Sequence, residues 1–248
     1  MLEKQAPLFS IIIPTFNAEK VLATAIESIQ AQSLKDYEII IVDGNSTDLT
    51  IEIILSYAHS LGVIHYVSET DKGIYDAMNK GIQMATGTFL YFLGADDYLI
   101  DSLVLTDIKE LITDAKYDVI YGNVRSPALG PDYSGRFSDA DIFHKNIAHQ
   151  AIFYKRDLFN QVGFYDTSYR VHADWAHNII WFFDTAITNL HINRTIAHFS
   201  DGGFSSIKKD PTFRKNILLL YYANARKRHT ALKTLRLMVR GIFTRLTR

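Results

Sequence analysis

The first 100 residues alternate short apolar segments with segments of helical periodicity, and this alternation restricts the fold more than any other feature of the chain. The expected strands are Ser10–Pro14, Tyr37–Val42, Val63–Val67 and Thr88–Leu93. The expected helices are 18–32, opened and capped by Asn17, then 48–61 and Ile74–Ala85. Strands that alternate with helices form βαβ units. The sequence therefore predicts an α/β fold with a mostly parallel central sheet flanked by helices.

The alternation weakens after residue 100. A helix is expected near 101–113 and a strand at Asp118–Tyr121, and a stretch rich in Gly, Pro, Ser and Asp follows at 126–141. Clusters of these residues are typical of loops. This stretch is the expected change of subdomain. It lies within one expected domain over 1–210, which has a first half at 1–100 and a second half at 101–210.

Polar residues follow each of the four opening strands. They are Asn17, Asp43, Asp71 and the pair Asp96 and Asp97. In open parallel sheets, ligands bind outside the carboxyl ends of the strands, where loops converge and helix N-termini point outward. The pattern predicts a carboxylate-rich site at this edge. The alternative is that each residue caps a helix or forms a turn, as Asp and Asn often do.

Two common phosphate-binding motifs are missing from the sequence. No Gly-x-Gly-x-x-Gly follows the first strand and no Gly-x4-Gly-Lys-Ser/Thr is present, which argues against a dinucleotide-dependent dehydrogenase and a P-loop ATPase. A bound diphosphate would need another partner. Mg²⁺ or Mn²⁺ could bridge carboxylate and phosphate oxygens, because both ions prefer hard oxygen ligands.

Four segments together resemble the family-2 inverting glycosyltransferases, which have the GT-A fold. They are Ser10–Asn17 (SIIIPTFN), Glu27–Gln32 (ESIQAQ), Tyr37–Asp48 (YEIIIVDGNSTD) and Asp71–Gly81 (DKGIYDAMNKG). The resemblance covers about residues 8–205. It implies transfer of a sugar from a nucleotide-diphosphate donor to the hydroxyl of a glycan or lipid-linked acceptor, as in bacterial enzymes that build exopolysaccharide or lipid-linked glycans.

The resemblance also implies roles for individual residues of the donor side. Residues 1–100 would form the nucleotide-binding half, with Pro14, Thr15, Phe16 and Asn17 lining the pocket, Asp43 contacting the base or ribose, and Asp71 completing the base pocket. Uridine is the favoured base, and guanosine and thymidine diphosphate donors stay open. The family's Asp-x-Asp metal motif falls at Gly94-Ala95-Asp96-Asp97, where the first acid is missing. Asp96 is expected to hold Mn²⁺ or Mg²⁺, with Asp97 as its neighbour.

Residues 101–210 would form the acceptor-binding half. The resemblance places the general base at Asp174, although this residue could instead cap a helix. His149 and Gln150 are candidates for acceptor contacts or a buried core pair, and His172 and Trp175 for acceptor contacts or packing. His198 opens a late loop that could close over the diphosphate and bind the metal.

Residues 211–248 differ from the rest in charge. They hold ten of the 26 Lys and Arg residues and none of the 27 Asp and Glu residues, so this tail carries +10 and the remainder −11. From Ala231 onward, apolar residues recur at three- and four-residue spacing, which predicts a basic amphipathic helix. Such a helix could bind an anionic membrane surface or pack on its own domain or on a second subunit. Nucleic-acid binding is disfavoured because the acidic remainder would repel phosphates.

The chain has no cysteine, its start lacks the layout of a secretory signal, and no apolar run reaches membrane-spanning length. A cytoplasmic enzyme, peripheral on the inner membrane face if the tail binds lipid, is therefore expected. A nucleotidyltransferase and an inactive nucleotide-sugar-binding protein stay open as other functions. A glycosidase is disfavoured, because no pair of acids is suggested beyond the nucleotide pattern.

Overall fold

The computed structural model describes residues 6–112, 116–127, 130–133, 135–200 and 209–246. The strands are β1 (Phe9–Thr15), β2 (Tyr37–Asp43), β3 (Ile64–Ser68), β4 (Phe89–Phe92), β5 (Tyr98–Leu99), β6 (Val119–Ser126), β7 (Gly130–Tyr133), β8 (Ile152–Lys155) and β9 (Asn189–His198). The α-helices are α1 (Leu22–Gln30), α2 (Thr50–Leu61), α3 (Ile74–Met84), α4 (Val104–Ile112), α5 (Asp141–His144), α6 (Leu158–Val162), α7 (Ala173–Phe183), α8 (Pro211–Ala225) and α9 (Ala231–Leu246). A short 3₁₀ helix spans His149–Ala151.

All strands belong to one sheet, with the order β3-β2-β1-β4-β8-β6-β9-β5 and with β7 paired to β6. The first four strands are mutually parallel, which confirms the prediction for residues 1–100. The second half of the chain extends the sheet with the antiparallel pairs β4–β8 and β6–β8 and the parallel pair β6–β9. The α/β fold with its central sheet flanked by helices is confirmed.

Strands β1 and β2 are internal strands of the sheet and are buried at every residue. Because successive side chains point to opposite faces, each strand contributes to two apolar layers. Ile12 packs on the α3 side with Met78, and Ile11 packs on the α1 side with Ile26. The two layers hold the sheet between its helices. Because β1, β2 and β4 run parallel, their carboxyl ends meet at one edge.

The predicted helix 18–32, opened by Asn17, was wrong at its start. Helix α1 begins at Leu22, and its N-terminus has no side-chain cap. Asn17 has a positive φ of 47°, and its Oδ1 accepts a hydrogen bond from the N–H of Thr47 at 2.9 Å. The amide side chain therefore ties together the loops that follow β1 and β2.

Helix α8 is part of the main core. Phe213, Ile217 and Tyr221 are buried in the same apolar cluster as α7. Buried Asp210 caps α8 by accepting from the N–H of Phe213 at 2.9 Å, and its other oxygen accepts from the N–H of Val171 at 2.9 Å. Residues 211–225 are thus joined to the preceding domain, and the boundary expected at residue 210 stays a prediction.

Helix α9 packs through its small residues. Thr234 is buried, and a Cβ added at Gly241 would lie 2.5 Å from the Phe143 ring of α5. The opposite stripe of α9 is exposed to solvent and consists of Leu232, Leu235, Val239 and Ile242. Within the described residues, every helix is too short or too polar to cross a bilayer.

Candidate functional site

A cavity of about 400 Å³ opens at the carboxyl ends of β1 and β4, beside the N-terminus of α3. Its lining residues are Pro14, Thr15, Phe16, Asn17, Ala18, Val21, Asp71, Gly73, Ile74, Ala77, Gly94, Ala95 and Asp96. Six residues predicted from three separate segments therefore line one cavity, and these are Pro14, Thr15, Phe16, Asn17, Asp71 and Asp96. Phe16 is 64% exposed and offers an aromatic surface at the wall.

Asp43 lies beneath this cavity and does not line it. The residue is fully buried, and its carboxylate accepts from Ser46 N–H at 3.0 Å and from the Ser68 hydroxyl at 2.6 Å. Ser46 in turn accepts from the N–H of Asn17 at 2.8 Å. Asp43 thus supports the loop that carries Asn17, and its predicted contact with a base or ribose stays a prediction.

Asp71 reaches the cavity from the loop before α3. Its Oδ1 accepts from the N–H of Gly73 at 2.8 Å, and its Oδ2 would lie 2.7 Å from a Cβ added at Gly44. A side chain at position 44 would therefore displace the Asp71 carboxylate. The glycine after Asp43 allows the loops after β2 and β3 to meet at the site.

The two acids of the predicted metal motif have different surroundings. Asp96 lines the cavity, whereas Asp97 is buried and its carboxylate accepts from Gln150 Nε2 at 2.6 Å and from Ser200 N–H at 2.8 Å. Burial, together with the charge of Asp96, raises the pKa of Asp97 above its ordinary value. Asp97 therefore holds the loop in place, and its predicted role as a metal neighbour stays a prediction.

A divalent cation would have few protein ligands here. Among the described residues, no group of three or more His, Cys, Asp or Glu side chains could hold a metal ion. The carboxylate of Asp96, with diphosphate oxygens and water, is a suitable ligand set for Mg²⁺ or Mn²⁺, because Mg²⁺ usually binds through one or two carboxylates plus substrate phosphates. The residues present fit a cation that the substrate helps to hold.

His198 lies next to this loop. Its ring stacks on Tyr98 with centroids 4.6 Å apart, and within the described part of the chain its Nδ1 is buried without a hydrogen-bond partner. Most of the loop expected to close over a diphosphate, residues 201–208, lies outside the described residues. A metal contact from His198 stays a prediction.

Asp174 lies in the first turn of α7 and is buried. Its Oδ1 is 2.7 Å from the Tyr75 hydroxyl and accepts from the N–H of Trp175 at 2.8 Å. Its Oδ2 accepts from Asn146 Nδ2 at 2.8 Å and lies 3.3 Å from His149 Nδ1. Burial alone would raise the pKa of Asp174, but the interactions with His149, Tyr75 and Trp175 outweigh burial and lower it. Asp174 is therefore ionised at neutral pH.

His149 and Gln150 connect the two sides of the site. Adjacent in the 3₁₀ helix, they contact Asp174 and Asp97 respectively. Sequence reasoning singled out this pair but not its partners, and it missed Tyr75 and Asn146 altogether. Tyr75 lies within the Asp71–Gly81 segment that carries the family resemblance, and this segment could have indicated it as a site residue.

A second cavity, of about 550 Å³, lies between the start of α7 and α8. Its lining residues are His172, Trp175, Lys209, Asp210, Phe213, Arg214 and Ile217. The Trp175 and Phe213 rings lie 5.1 Å apart, and Trp175 donates through Nε1 to the carbonyl of Ile142 at 2.8 Å. The structure therefore brings His172 and Trp175 together beside Asp174, whereas Trp181 is fully buried in the core.

Curated relatives share this sequence over most of its length. The chain is 42% identical over 218 residues to a PGL/p-HBAD biosynthesis glycosyltransferase of Mycobacterium bovis, covering 86% of this chain and 84% of the relative. It is 29% identical over 205 residues to an uncharacterized glycosyltransferase of Rickettsia prowazekii, covering 77% and 63% of the two chains.

Solved structures share the fold at low sequence identity. S. aureus TarS superposes with a TM-score of 0.74 at 17% identity, covering 94% of this chain and 42% of TarS. The mannosyltransferase PcManGT from Pyrobaculum calidifontis, solved with GDP-Man and Mn²⁺, superposes with a TM-score of 0.69 at 17% identity, covering 96% of this chain and 69% of PcManGT. The chain thus spans less than half of TarS.

A family model supplies the remaining evidence. The Glycosyl transferase family 2 model matches residues 10–211, from β1 to the start of α8. This range includes both sides of the site described above, and with the 42% identity of the mycobacterial relative it shows that the chain belongs to glycosyl transferase family 2.

Proposed function

We propose that this chain transfers a sugar, with inversion, from a nucleotide-diphosphate donor to a hydroxyl of a glycan or lipid-linked acceptor in bacterial surface polysaccharide biosynthesis. The observation that carries the proposal is the joint cavity of Pro14, Thr15, Phe16, Asn17, Asp71 and Asp96 at one sheet edge. UDP-sugars are the favoured donors. TarS has been solved with UDP-GlcNAc and PcManGT with GDP-Man, so guanosine donors stay in the test.

The two sides of the site suit a single displacement. The loops after β1 and β4 would hold the donor, and the base system around Asp174 would take the proton of the acceptor hydroxyl. A positioned base of this kind typically contributes about 10²–10⁴ in rate. With the attacking oxygen and the leaving diphosphate on opposite faces of the sugar, the reaction inverts the anomeric centre.

Asp96 would hold the divalent cation together with the diphosphate. A bound Mn²⁺ or Mg²⁺ supplies Lewis-acid stabilisation of the negative charge that develops on the leaving diphosphate. Asp97, Gln150 and Ser200 fix the backbone that presents Asp96. The acceptor would occupy the second cavity, where Trp175 and Phe213 offer aromatic surfaces to a sugar ring.

Helix α9 supports attachment to an anionic membrane surface on the inner face of the cell membrane. Its stripe of Leu232, Leu235, Val239 and Ile242 is exposed in the part of the chain that the structure describes. Exposed Lys233 and Arg236 lie on the same helix, and the sequence has no acid after Asp210. An apolar stripe beside basic residues is complementary to an interface of anionic headgroups and acyl chains.

The donor is tested with a panel of UDP-, GDP- and dTDP-sugars, scored by thermal stabilisation with and without Mn²⁺. We expect one UDP-sugar to stabilise the protein most. Transfer to acceptor is then measured for wild type, Asp96→Asn and the matched control Glu110→Gln, an exposed acid on α4. Asp96→Asn should lose at least tenfold in rate and most of its response to Mn²⁺, and Glu110→Gln should behave as wild type.

Two results would contradict this function. A protein that binds nucleotide sugars tightly and neither hydrolyses nor transfers them is an inactive binding protein. Release of diphosphate from a nucleoside triphosphate and a sugar phosphate would instead show a nucleotidyltransferase.

Membrane attachment is tested by co-sedimentation of full-length protein with vesicles of phosphatidylglycerol and phosphatidylcholine. The double variant Leu235→Gln/Val239→Gln should lose binding, and the control Leu55→Gln, which changes an exposed leucine of α2, should not. Equal binding by both variants would refute the proposal. A dimer that the double variant dissociates would show that a second subunit covers the stripe.

A further inference from the structure

Resting on the proposed function, we infer that the acceptor sugar carries a negatively charged phosphate ester, and that Lys209 and Arg214 bind this group in the second cavity. The inference narrows the acceptor from any glycan or lipid-linked hydroxyl compound to an anionic sugar. It rests on the rings and charges that line the second cavity and on the separation of this cavity from the one at the carboxyl ends of the strands.

Three aromatic rings form a wall of the second cavity. The His172 ring stacks on Phe213 with centroids 5.0 Å apart, and Trp175 lies 5.1 Å from Phe213 and 5.8 Å from His172. The indole N–H of Trp175 is already donated to the carbonyl of Ile142, so the ring offers only its apolar surface to a ligand. Ligand pockets combine such walls with a few polar groups that fix orientation and specificity. The wall suits a sugar ring, and the polar groups decide which sugar binds.

The polar groups of the second cavity are mainly cationic. Lys209 and Arg214 are exposed and line the cavity, and neither forms an ion pair with a residue that the structure describes. Arg228, just beyond the end of α8, is by contrast paired with Asp139 at 3.7 Å. Two unpaired cations in one cavity are complementary to an anion, and arginine binds phosphate through two parallel hydrogen bonds.

Asp210 is the acid among the described lining residues, and its carboxylate is already used by the backbone. The residue is 2% exposed, and it accepts from the N–H groups of Phe213 and Val171, each at 2.9 Å, and from that of His172 at 3.3 Å. Its oxygens therefore face the start of α8 and the segment before α7. The two cations are left to face a ligand, and the charge of the described lining side chains is positive.

The phosphates of the donor have a different place. Among the described residues, the second cavity and the cavity at the carboxyl ends of β1 and β4 share no lining side chain. His172 and Trp175, which line the second cavity, come before and after Asp174 in the chain, and the N–H of Trp175 donates to Asp174. A ligand of the second cavity thus lies beside the proposed base. The anion held by Lys209 and Arg214 belongs to the acceptor.

Tryptophan fluorescence measures this binding without any transfer reaction. The chain has two tryptophans, and because Trp181 is fully buried, a ligand in the second cavity should change the emission of Trp175 alone. The probes are the 1-phosphates of glucose, galactose, mannose and N-acetylglucosamine, each compared with the neutral methyl glycoside of the same sugar. Trp175→Phe should abolish the response to every probe.

At least one 1-phosphate should bind wild type about tenfold more tightly than its methyl glycoside, because hydrogen bonds between charged groups are about twice as strong as neutral ones. The double variant Lys209→Gln/Arg214→Gln should remove this difference and leave binding of the methyl glycoside unchanged. The charge-matched control Lys215→Gln/Arg226→Gln changes two exposed residues of α8 and its C-terminal end that do not line the cavity, and it should behave as wild type.

Three results would overturn the inference. The first is equal affinity for the charged and neutral member of every pair, including the absence of any response from Trp175. The second is an equal loss of phosphate binding in the control, which would show a general effect of the basic tail. The third is displacement of the sugar phosphate by UDP, which would show that the two cations bind the phosphates of the donor.

A dodecyl phosphate diester of the best sugar distinguishes a lipid-linked acceptor from a phosphorylated glycan. Leu218 is one helical turn beyond Arg214 and is 49% exposed, so it is placed to contact an alkyl chain attached to the phosphate. Tighter binding of the dodecyl probe that Leu218→Gln removes would support a lipid-linked acceptor. Equal binding of the two phosphates would support an anionic glycan.

Failure of this inference and failure of the proposed function give different results. A protein that binds the sugar phosphate through Lys209 and Arg214 but transfers no sugar would disprove the proposed function and leave the anion site standing. An active transferase that binds charged and neutral sugars equally would disprove only the inference.

Discussion

Restoring the missing first acid of the predicted metal motif, by Gly94→Asp, should lower both the stability of the protein and its transfer rate. A Cβ at position 94 would lie 2.4 Å from Oδ2 of Asp97 and 3.0 Å from Oδ1 of Asp96, where ordinary contacts begin at 3.4 Å. Gly94 does not have a positive φ, so backbone conformation is not what requires glycine. Glycine is needed at this position because the buried Asp97 carboxylate occupies the space that a Cβ would fill.

The size of the effect follows from what must move. The Asp97 carboxylate would have to shift by about 1 Å, away from Gln150 and Ser200. Overpacking costs about 1–3 kcal/mol, and a hydrogen bond to a charged group about 1.5–3 kcal/mol. We expect Gly94→Ala to lose about 2 kcal/mol of unfolding free energy, which lowers Tm by roughly 4–8 °C in a chain of this size. Gly94→Asp should lose more, since it places a third carboxylate beside Asp96 and Asp97.

Thermal melts of Gly94→Ala, Asp97→Ala and the double variant measure the contact directly. If the clash with Asp97 causes the loss of stability, Gly94→Ala should lower the unfolding free energy only slightly in the Asp97→Ala background. The effects of the two substitutions should then not add. Transfer rates with Mn²⁺ should fall in Gly94→Asp. A Gly94→Asp protein with unchanged Tm and faster transfer would refute the reasoning.

Three further predictions concern buried groups. Burial would raise the pKa of Glu38, but hydrogen bonds from Ser10, Thr86 and Gly87 outweigh burial and lower it. Glu38 should therefore stabilise the fold above the ordinary glutamate pKa of about 4.3, and this contribution should be lost as pH falls through its folded pKa. In urea melts from pH 3 to 7, Glu38→Gln should reduce the loss of unfolding free energy at acid pH. Gly81→Ala should destabilise by about 1–3 kcal/mol, since its Cβ would lie 2.4 Å from Ile12, and an unchanged Tm would contradict close packing of α3 on β1. Asn178→Ala should cost about 2–4 kcal/mol in a denaturant melt, because it leaves the Tyr154 and Trp181 donors unpaired, and a loss below 1 kcal/mol would contradict this role.

The cavity at the carboxyl ends of the strands could be predicted from the sequence because it depends on local order. Apolar strands followed at once by polar residues place those residues at the same sheet edge, and Asn17, Asp71 and Asp96 lie there. The depth of each side chain is a tertiary property. Asp43 and Asp97 have the same spacing signals, yet both are buried beneath the loops by partners that no periodicity shows.

The surroundings of Asp174 depend on contacts between distant segments. Strand β8 inserts antiparallel between β4 and β6, and this places the 3₁₀ helix before it against both Asp97 and Asp174. No local pattern indicates such an insertion. The tail shows the same limit, since the spacing from Ala231 onward predicts an apolar face, but the choice of Thr234 and Gly241 as the packed side depends on α5.

The two halves of the site are joined through one short rigid element. Gln150 fixes the loop that presents Asp96, and His149 lies against Asp174. Because adjacent residues in a three-residue helix have little freedom relative to each other, the contact with Asp174 is set relative to the loop that presents Asp96 by covalent geometry. Tyr91 adds to this, since its hydroxyl donates from the middle of β4 to the carbonyl of Gln150 at 2.9 Å. The sheet itself therefore positions Asp174 and the Asp96 loop together, as the proposed in-line displacement would require.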